Sequence, residues 1–233
     1  MKLGLVGGIG PESTVLYYRK IISGVQSKLG HECLPKISIE SLSAFKVFEL
    51  CRSNKFDELT EYLLEALNSL EKSGADFVAL TGNTPNIVMD RVRQLASIPV
   101  LSAIDATCEE AKKRGVGSLG LLGTSFTMQH SFFKAPFENI GIRIATPKLE
   151  QIVWIQDKIE NELEHGIVKE ETRESLIQII KNLQDNQRID QVMLACTELP
   201  LILHDEISPV PCLDTLEIHV AALVERLVAS KVD

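Results

Sequence analysis

The chain has 233 residues, 45% of them hydrophobic and 24% charged, which is enough for one large domain or two smaller ones. Its formal net charge is −8, and no long run of Lys or Arg interrupts that balance. This argues against a surface for nucleic acid or anionic membrane, because phosphate binding requires a basic patch. A pocket of backbone N–H groups could still bind a small anionic substrate.

The cysteines are odd in number and widely spaced, at positions 33, 51, 108, 196 and 212. This pattern predicts reduced intracellular thiols, with neither a disulfide framework nor a zinc or iron–sulfur centre. No apolar run reaches bilayer-spanning length, and the N-terminal apolar stretch is too short for a signal peptide. We therefore expect a soluble, cytoplasmic protein.

Short apolar runs alternate with helix-length amphipathic segments, which is the pattern of an α/β protein with largely parallel sheets. In chain order, the predicted strands are 2–6, 37–42, 77–80, 98–101, 118–122, 142–145 and 191–194. The predicted helices are 12–29, 57–73, 86–95, 106–114, 151–165, 169–186 and 216–229. No linker or low-complexity segment divides the chain.

One internal echo suggests two similar halves. Residues 76–82 (DFVALTG) and 190–196 (DQVMLAC) both run from an Asp, through mostly apolar residues, to a polar tip, and both follow a long amphipathic helix. Ligands of α/β sheets bind beyond the carboxyl ends of strands, so we expect a site in a cleft between two lobes. The tip holds Gly82 in the first segment and Cys196 in the second.

Cys196 is the candidate for chemistry among the five thiols. A lone buried cysteine is usually an inert small hydrophobe, and that interpretation suits Cys33, Cys108 and Cys212. Cys196 differs because it lies between an apolar strand and Thr197-Glu198. A helix beginning near Thr197 or Leu199 would favour a thiolate there.

Other strand ends carry polar turns that could bind a small carboxylate. They are Gly7 to Glu12, Asn83-Thr84, and Gly123 to Thr127, although Thr and Asn at such places also cap helices. The glycines after the first strand fit neither a Walker A loop nor the GxGxxG fingerprint. Cys51 lies beside Arg52, which could stabilise a thiolate. His219, inside the last predicted helix, is more simply structural than basic.

Taken together, these turns resemble the aspartate/glutamate racemase family. The matching stretches are GLVGGIGPEST at 4–14 with Tyr17-Tyr18, GNTP at 82–85, LLGTSFTM at 121–128, ACTELPL at 195–201, and Pro211 with Asp214-Thr215 and Ile218-His219. The resemblance implies two Rossmann-like lobes with pseudo-twofold symmetry, each a mostly parallel sheet flanked by helices. The implied lobes are 1–101 with 209–233, and 102–208.

The resemblance also implies a mechanism without pyridoxal phosphate or metal. In such racemases, a cysteine from each lobe faces one side of the substrate α-carbon; one removes the α-proton as a thiolate and the other donates a proton as a thiol. Thiols suit this chemistry because their pKa can be tuned near neutrality. The implied substrate-binding residues are Ile9, Arg52, Asn83, Thr84, Thr124, Thr197 and Glu198. Relatives are often homodimers.

This sequence departs from the family pattern at three positions. The first family cysteine is Gly82 here, and the histidine often found after Asn-Thr-x is Asn86. Where aspartate racemases commonly place a lysine, Glu164 aligns, which weakens the case for a dicarboxylate substrate. Arg52 falls near a position that carries a substrate-binding Arg or Gln in relatives.

The missing first thiol leaves three functions open: an amino-acid racemase with Cys196 as acid/base, a single-cysteine decarboxylase or isomerase of a small carboxylic acid, and a catalytically weak carboxylate-binding protein. The motifs around the two positions, GNTP and CTELP, favour the racemase over the other two functions. If Gly82 faces Cys196 across an intact cleft, Gly82→Cys should create or raise racemase activity.

Overall fold

The computed structural model describes residues 1–229. Within them the strands are β1 Lys2–Gly7, β2 Lys36–Ser41, β3 Phe77–Leu80, β4 Val100–Leu101, β5 Ser118–Leu122, β6 Arg143–Ala145, β7 Gln191–Leu194 and β8 Cys212–Asp214. The α-helices are α1 Pro11–Leu29, α2 Ala44–Arg52, α3 Phe56–Lys72, α4 Met89–Leu95, α5 Ala103–Lys113, α6 Ser125–Gln129, α7 Ser131–Asn139, α8 Leu149–Asn161, α9 Glu170–Gln187 and α10 Thr215–Ala229.

The strands form two four-stranded sheets, ordered β2-β1-β3-β4 and β6-β5-β7-β8. Every neighbouring pair in both sheets is parallel. Parallel strands are buried on both faces by crossover helices, and β1, β3, β5 and β7 are accordingly almost wholly buried. This confirms the predicted α/β class with two parallel sheets flanked by helices.

Two compact units contain these sheets. The first comprises residues 1–106 and 219–229 of the described chain, and the second comprises residues 107–218. The predicted division into lobes 1–101 with 209–233, and 102–208, stays a prediction. None of the described helices combines the length and the hydropathy that a membrane span requires.

The two units repeat each other in detail. Asp76 accepts a hydrogen bond from the backbone N–H of Lys2 at 2.6 Å, and Asp190 accepts one from the N–H of Ser118 at 2.8 Å. Each aspartate thereby fixes the start of the strand beside its own. In register, Leu80 pairs with the penultimate residue of β1, and Leu194 pairs with the last residue of β5.

Each unit also packs a helix closely onto its first strand at a glycine. A side chain at Gly4 of β1 would meet Leu70 of α3 at 3.1 Å, and a side chain at Gly120 of β5 would meet Leu183 of α9 at 3.3 Å. Both helices precede the strand that carries the polar tip. The echo at 76–82 and 190–196 is therefore part of a longer structural repeat.

Several elements differ from the prediction. The helix predicted at 86–95 is a 3-10 helix, Thr84–Val88, followed by α4. The end of the helix predicted at 151–165 is a separate 3-10 turn, Leu163–His165. The sequence prediction missed α2, α6, α7 and β8, which are all short.

Candidate functional site

Gly82 and Cys196 occupy equivalent positions in the two units. Thr81 donates its backbone N–H to the carbonyl of Val6 at 3.0 Å, and Ala195 donates its N–H to the carbonyl of Leu122 at 2.7 Å. These bonds are the last along β3 and β7. The next residue in each unit is the first one free of the sheet, which is where parallel folds hold reactive groups.

In the first unit, Asn86 holds the turn that contains Gly82. Its Nδ2 donates to the carbonyls of Gly82 at 3.1 Å and Asn83 at 2.9 Å, and its Oδ1 accepts from the hydroxyl of Ser102 at 3.3 Å. Asn86 is buried, so this amide fixes the turn from beneath. The sequence marked Asn86 only as a departure from the family and gave no sign of Ser102.

A buried set of hydroxyls joins this turn to the loop after β1. Ser13 donates to the carbonyl of Thr81 at 2.6 Å, and the hydroxyls of Thr14 and Thr81 lie 3.0 Å apart. Thr14 also accepts from the N–H of Gly8 at 2.9 Å. These hydroxyl groups connect the loop after β1 to the turn that contains Gly82, so we assign them a structural role.

The backbone of Ile9 occupies the place that a side chain on residue 82 would need. A Cβ there would lie 2.3 Å from the carbonyl oxygen of Ile9 and 3.1 Å from its Cγ2. Real Cβ atoms do not approach backbone oxygens so closely, and Ile9 is itself buried. Gly82→Cys therefore requires the loop after β1 to move, and the expected gain of racemase activity in that variant stays a prediction.

In the second unit, Cys196 forms a hydrogen-bonded cluster with the two residues that follow it. Its Sγ donates to Oε2 of Glu198 at 2.8 Å, and the hydroxyl of Thr197 donates to Oε1 of the same carboxylate at 2.8 Å. All three residues are partly buried. Both oxygens of Glu198 are thus directed toward protein groups, and one of them faces the thiol.

Burial raises the pKa of the Cys196 thiol well above its usual value, and the nearby charges of Glu198 and Glu164 raise it further. The thiolate expected from a helix beginning near Leu199 is not favoured: the backbone N–H of Glu198 lowers the pKa of the thiol, but burial and the carboxylates raise it by more. The helix that follows is a three-residue 3-10 helix, Leu199–Leu201. The hydrogen-bond partner of the thiol is a carboxylate. The resting group is therefore a thiol.

Glu164 extends this negative environment. It lies in the Leu163–His165 turn, and burial together with the charges of Glu198 and Glu160 raises the pKa of its carboxyl. His165 is near enough to oppose that rise. A carboxylate thus lies near the thiol, at the position where the resemblance led us to look for a lysine.

Two other predicted substrate-binding residues have local partners. Arg52 ends α2 and is exposed, and its Nε donates to the carbonyl of Phe48 in the same helix at 3.3 Å. Thr124 is the N-cap of α6 and accepts from the N–H of Thr127 at 3.3 Å. Asn83 and Thr84 lie at the start of the 3-10 helix that follows Gly82.

Two of the other thiols, Cys51 and Cys212, are less acidic than usual. Burial raises the pKa of Cys51 to about 11, so the suggested stabilisation by Arg52 is wrong. Burial also raises the pKa of Cys212 to about 11. Cys33 donates to the carbonyl of Leu29 at 3.4 Å. Among the thiols of the described residues, Cys196 is the one that lies just beyond the carboxyl end of a strand.

His219 is structural, as the sequence suggested. It is fully buried, its Nε2 lies 3.0 Å from the carbonyl oxygen of Leu101, and its Nδ1 lies 2.8 Å from the hydroxyl of Tyr17. Since the carbonyl can only accept, Nε2 carries the proton and Nδ1 accepts from Tyr17. In the described residues, no three His, Cys, Asp or Glu side chains are grouped to hold a metal ion.

Known proteins resemble this chain in both sequence and fold. The broad specificity amino-acid racemase RacX of Bacillus subtilis is 27% identical over 222 residues, which cover 91% of this chain and 92% of that protein. A candidate Asp/Glu racemase from Yersinia pestis has a TM-score of 0.91 at 31% identity, covering 97% of this chain and 99% of that one. An aspartate racemase homologue from Pyrococcus horikoshii has a TM-score of 0.88 at 33% identity, with coverage of 97% and 99%.

The family model for Asp/Glu/hydantoin racemases matches residues 6–223. The match includes both strand-end turns, with Gly82 in one and Cys196 in the other, and every strand of the two sheets except most of β1. It confirms the resemblance drawn from the motifs. The chain belongs to the Asp/Glu/hydantoin racemase family.

Proposed function

We propose that this chain, an isomerase of the racemase type by its family, racemises amino acids by proton transfer at the α-carbon, without pyridoxal phosphate, and that Cys196 is the acid/base. The observation that carries the proposal is the position of Cys196, directly beyond the last sheet bond of β7. None of the other four thiols of the described chain lies at the end of a buried strand and beside a polar turn.

The chemistry needs a group that can both remove and return a proton at carbon. A thiol is suited to this because its sulfur is nucleophilic and polarisable and its proton can be shared with a neighbour. Removal of an α-proton from an amino acid leaves a carbanion stabilised by its own carboxylate. Hydrogen-bond donors placed at that carboxylate lower the barrier further. We keep the following as predicted substrate-binding residues: Ile9, Arg52, Asn83, Thr84, Thr124 and Thr197.

A specific observation favours a second candidate, a one-sided carbanion enzyme such as a decarboxylase or isomerase of a small carboxylic acid. Residue 82, the counterpart of Cys196 in the repeat, has no side chain, and the Ile9 carbonyl leaves no room for one without a shift. A chain with one thiol could protonate a carbanion from a single side. This reaction would keep Cys196 essential.

The two candidates are separated by following single enantiomers of aspartate, glutamate, alanine, serine and lysine in D₂O. Racemisation predicts formation of the opposite enantiomer with deuterium at the α-carbon, read by chiral chromatography and mass spectrometry. A one-sided enzyme predicts deuterium with retained configuration, or CO₂ release from a malonate-type acid. Absence of all three with every substrate would contradict both candidates and leave a carboxylate-binding protein.

We further propose that the enzyme is a cytoplasmic homodimer. Support for a cytoplasmic location comes from the acidic sequence and from its odd number of widely spaced cysteines, a pattern typical of reduced thiols. Support for the dimer comes from the family resemblance. Light scattering during gel filtration tests the assembly directly. A mass near 25.8 kDa, that of one chain, would contradict the dimer.

A further inference from the structure

The thiol of Cys196 presents a chemical difficulty for the proposed reaction. Its proton is donated to Oε2 of Glu198 at 2.8 Å, so the sulfur is not free to accept a proton from substrate. The surroundings are negative, with Glu198 in contact and Glu164 close by, while Glu160 and His165 act on Glu164. A simple thiolate base would be poorly stabilised in this environment.

We propose that Glu198 acts through Cys196 as the acceptor of the thiol proton, so that the two side chains work as one acid–base pair. This rests on the proposed function and assigns Glu198 a role different from the substrate binding that the resemblance implied. Glu198 is a positioning residue in this scheme, since it contacts the sulfur and not the reacting carbon.

Proton transfer through this pair conserves both atoms and charge. As the sulfur takes the α-proton of the substrate, its own proton passes to Oε2 of Glu198, and the electron pair of the broken C–H bond stays on the substrate as a carbanion. The pair then holds a new S–H and a neutral carboxylic acid. In reverse, Glu198 returns its proton to the sulfur as the sulfur protonates the carbon. Thr197 keeps the geometry by donating to the other oxygen, Oε1, at 2.8 Å.

The pair explains how a buried thiol beside carboxylates can serve as a base. Moving the proton from sulfur to Oε2 creates no net charge, because the negative charge already on the carboxylate moves to the thiol and then to the substrate. Glu164 contributes charge without a hydrogen bond to the sulfur among those the structure gives, and this makes it a useful control.

The test measures two properties of the full chain that this pair should drive in opposite directions. The first is the rate of alkylation of Cys196 by iodoacetamide between pH 6 and 10, with the modified peptide identified by mass spectrometry. The second is deuterium incorporation at the α-carbon of the amino acid that the wild-type protein exchanges fastest in D₂O. Glu198→Gln should raise alkylation at a given pH, because loss of the carboxylate lowers the pKa of the thiol.

The same variant should lower deuterium exchange by about 10²–10⁴-fold, since the thiol proton then has no acceptor. Glu164→Gln should also raise alkylation, because it removes charge near the thiol, but it should lower exchange far less than Glu198→Gln does, because it leaves the pair intact. If Glu198→Gln raises both rates, Cys196 is a simple thiolate base and the proposal is overturned. Should Glu198→Gln fail to fold by circular dichroism, Glu198→Asp replaces it, with exchange reduced but measurable as the expected result and unchanged exchange as the contrary one.

Failure of the proposed function has a different signature. In that case the wild-type protein would exchange no amino acid at all, and the proton-acceptor role would fall with it. Exchange by the wild type that persists at full rate in Glu198→Gln overturns the role of Glu198 alone.

Discussion

At the scale of single residues, Gly82 is explained by its neighbour and not by its own flexibility. Its φ is not in the left-handed region, yet an added Cβ would lie 2.3 Å from the Ile9 carbonyl oxygen. The missing family cysteine and the position of the loop after β1 are therefore two aspects of one local structure. The sequence shows the glycine, but it cannot show which backbone atom fills the space beside it.

This explanation predicts that Gly82→Ala destabilises the protein by about 1–3 kcal/mol, the usual cost of forcing atoms into a packed site. The matched control is Gly117→Ala, where the added Cβ meets only Asp190 Oδ2 at 3.4 Å, an ordinary contact. The control should stay within about 0.5 kcal/mol of wild type. Urea unfolding measures both variants, and equal stabilities for the two would contradict the steric account.

The orientation of Glu198 is a second fact that the sequence could not give. The CTELP stretch marks Cys196, Thr197 and Glu198 as neighbours of a strand end. Whether the carboxylate faces solvent, substrate or the thiol depends on the turn geometry, which places Oε2 2.8 Å from Sγ. Side chains two residues apart meet here because the backbone turns immediately after β7.

At the scale of elements, a buried carboxylate connects the end of α8 to the start of α9. Glu162, with a side chain only 5% exposed, accepts from Thr172 at 2.6 Å, Lys158 at 3.0 Å and Lys169 at 3.1 Å. These bonds lower the pKa of Glu162 to about 2, and the bond from Thr172 contributes most. The cluster anchors the segment that carries Glu164.

Glu162→Gln should therefore destabilise the protein by about 1–3 kcal/mol at pH 7, because buried donors lose a charged acceptor. The unfolded carboxyl has a pKa of about 4.3, so this stabilisation is present above that pH and disappears as the pH falls toward 2. The difference in urea midpoint between wild type and variant should narrow from pH 5 to pH 3. The control Lys169→Met, at a half-exposed site, should lower the free energy of unfolding by no more than about 1 kcal/mol. A larger loss of stability in Lys169→Met than in Glu162→Gln would contradict this ranking.

His219 ties α10 to α1 and to the end of β4 within the first unit. Tyr17→Phe removes the donor to Nδ1 and should cost about 1–3 kcal/mol, because the buried nitrogen loses its partner. Tyr18→Phe, at an exposed neighbour, should be nearly neutral. Thermal unfolding at pH 7 compares the two, and equal melting temperatures would show that the His219 contact contributes nothing.

The same histidine gives a pH dependence of known sign. Burial lowers the pKa of His219 to about 4, while an unfolded histidine has a pKa of about 6.5. The unfolded chain therefore binds more protons between these values, and this contribution to stability is complete above pH 6.5 and is lost as the pH falls to 4.

Element boundaries could be predicted from the sequence where the pattern is long and apolar. The strands at 77–80, 118–122 and 191–194 were predicted with the bounds that the structure has. The short elements α2, α6 and β8 were missed, because three to nine residues give too few turns or alternations to establish a period. Helix α7 contains Pro136, and because proline disfavours a helix interior, sequence reasoning does not predict a helix there.

The sequence also contains a second pair of similar segments, outside the echo at 76–82 and 190–196. Residues 2–7 read KLGLVG and residues 118–123 read SLGLLG, and the central glycine of each is where the helix before the polar-tipped strand packs. These glycines place α3 and α9 equivalently. The two segments, taken with the echo at 76–82 and 190–196, predict equivalent sheets from sequence alone.

At the scale of the whole molecule, the family and the α/β class follow from motifs spread along the chain, and the structure and comparisons confirm both. The reaction at the site depends on finer facts: a glycine covered by a carbonyl, and a thiol bonded to a carboxylate. These facts depend on side-chain and loop geometry within a few ångströms. They were beyond the sequence because the same motifs accommodate either a thiol or a glycine at position 82.

We have proposed that proton transfer at the α-carbon runs through Cys196. This proposal is tested most directly by proton NMR of single amino-acid enantiomers in D₂O with wild-type protein, Cys196→Ser and the control Cys33→Ser, whose thiol only donates to a helix carbonyl. We expect loss of the α-proton signal with wild type and Cys33→Ser, and a rate at least about 100-fold lower with Cys196→Ser. Exchange by Cys196→Ser at the wild-type rate would contradict it.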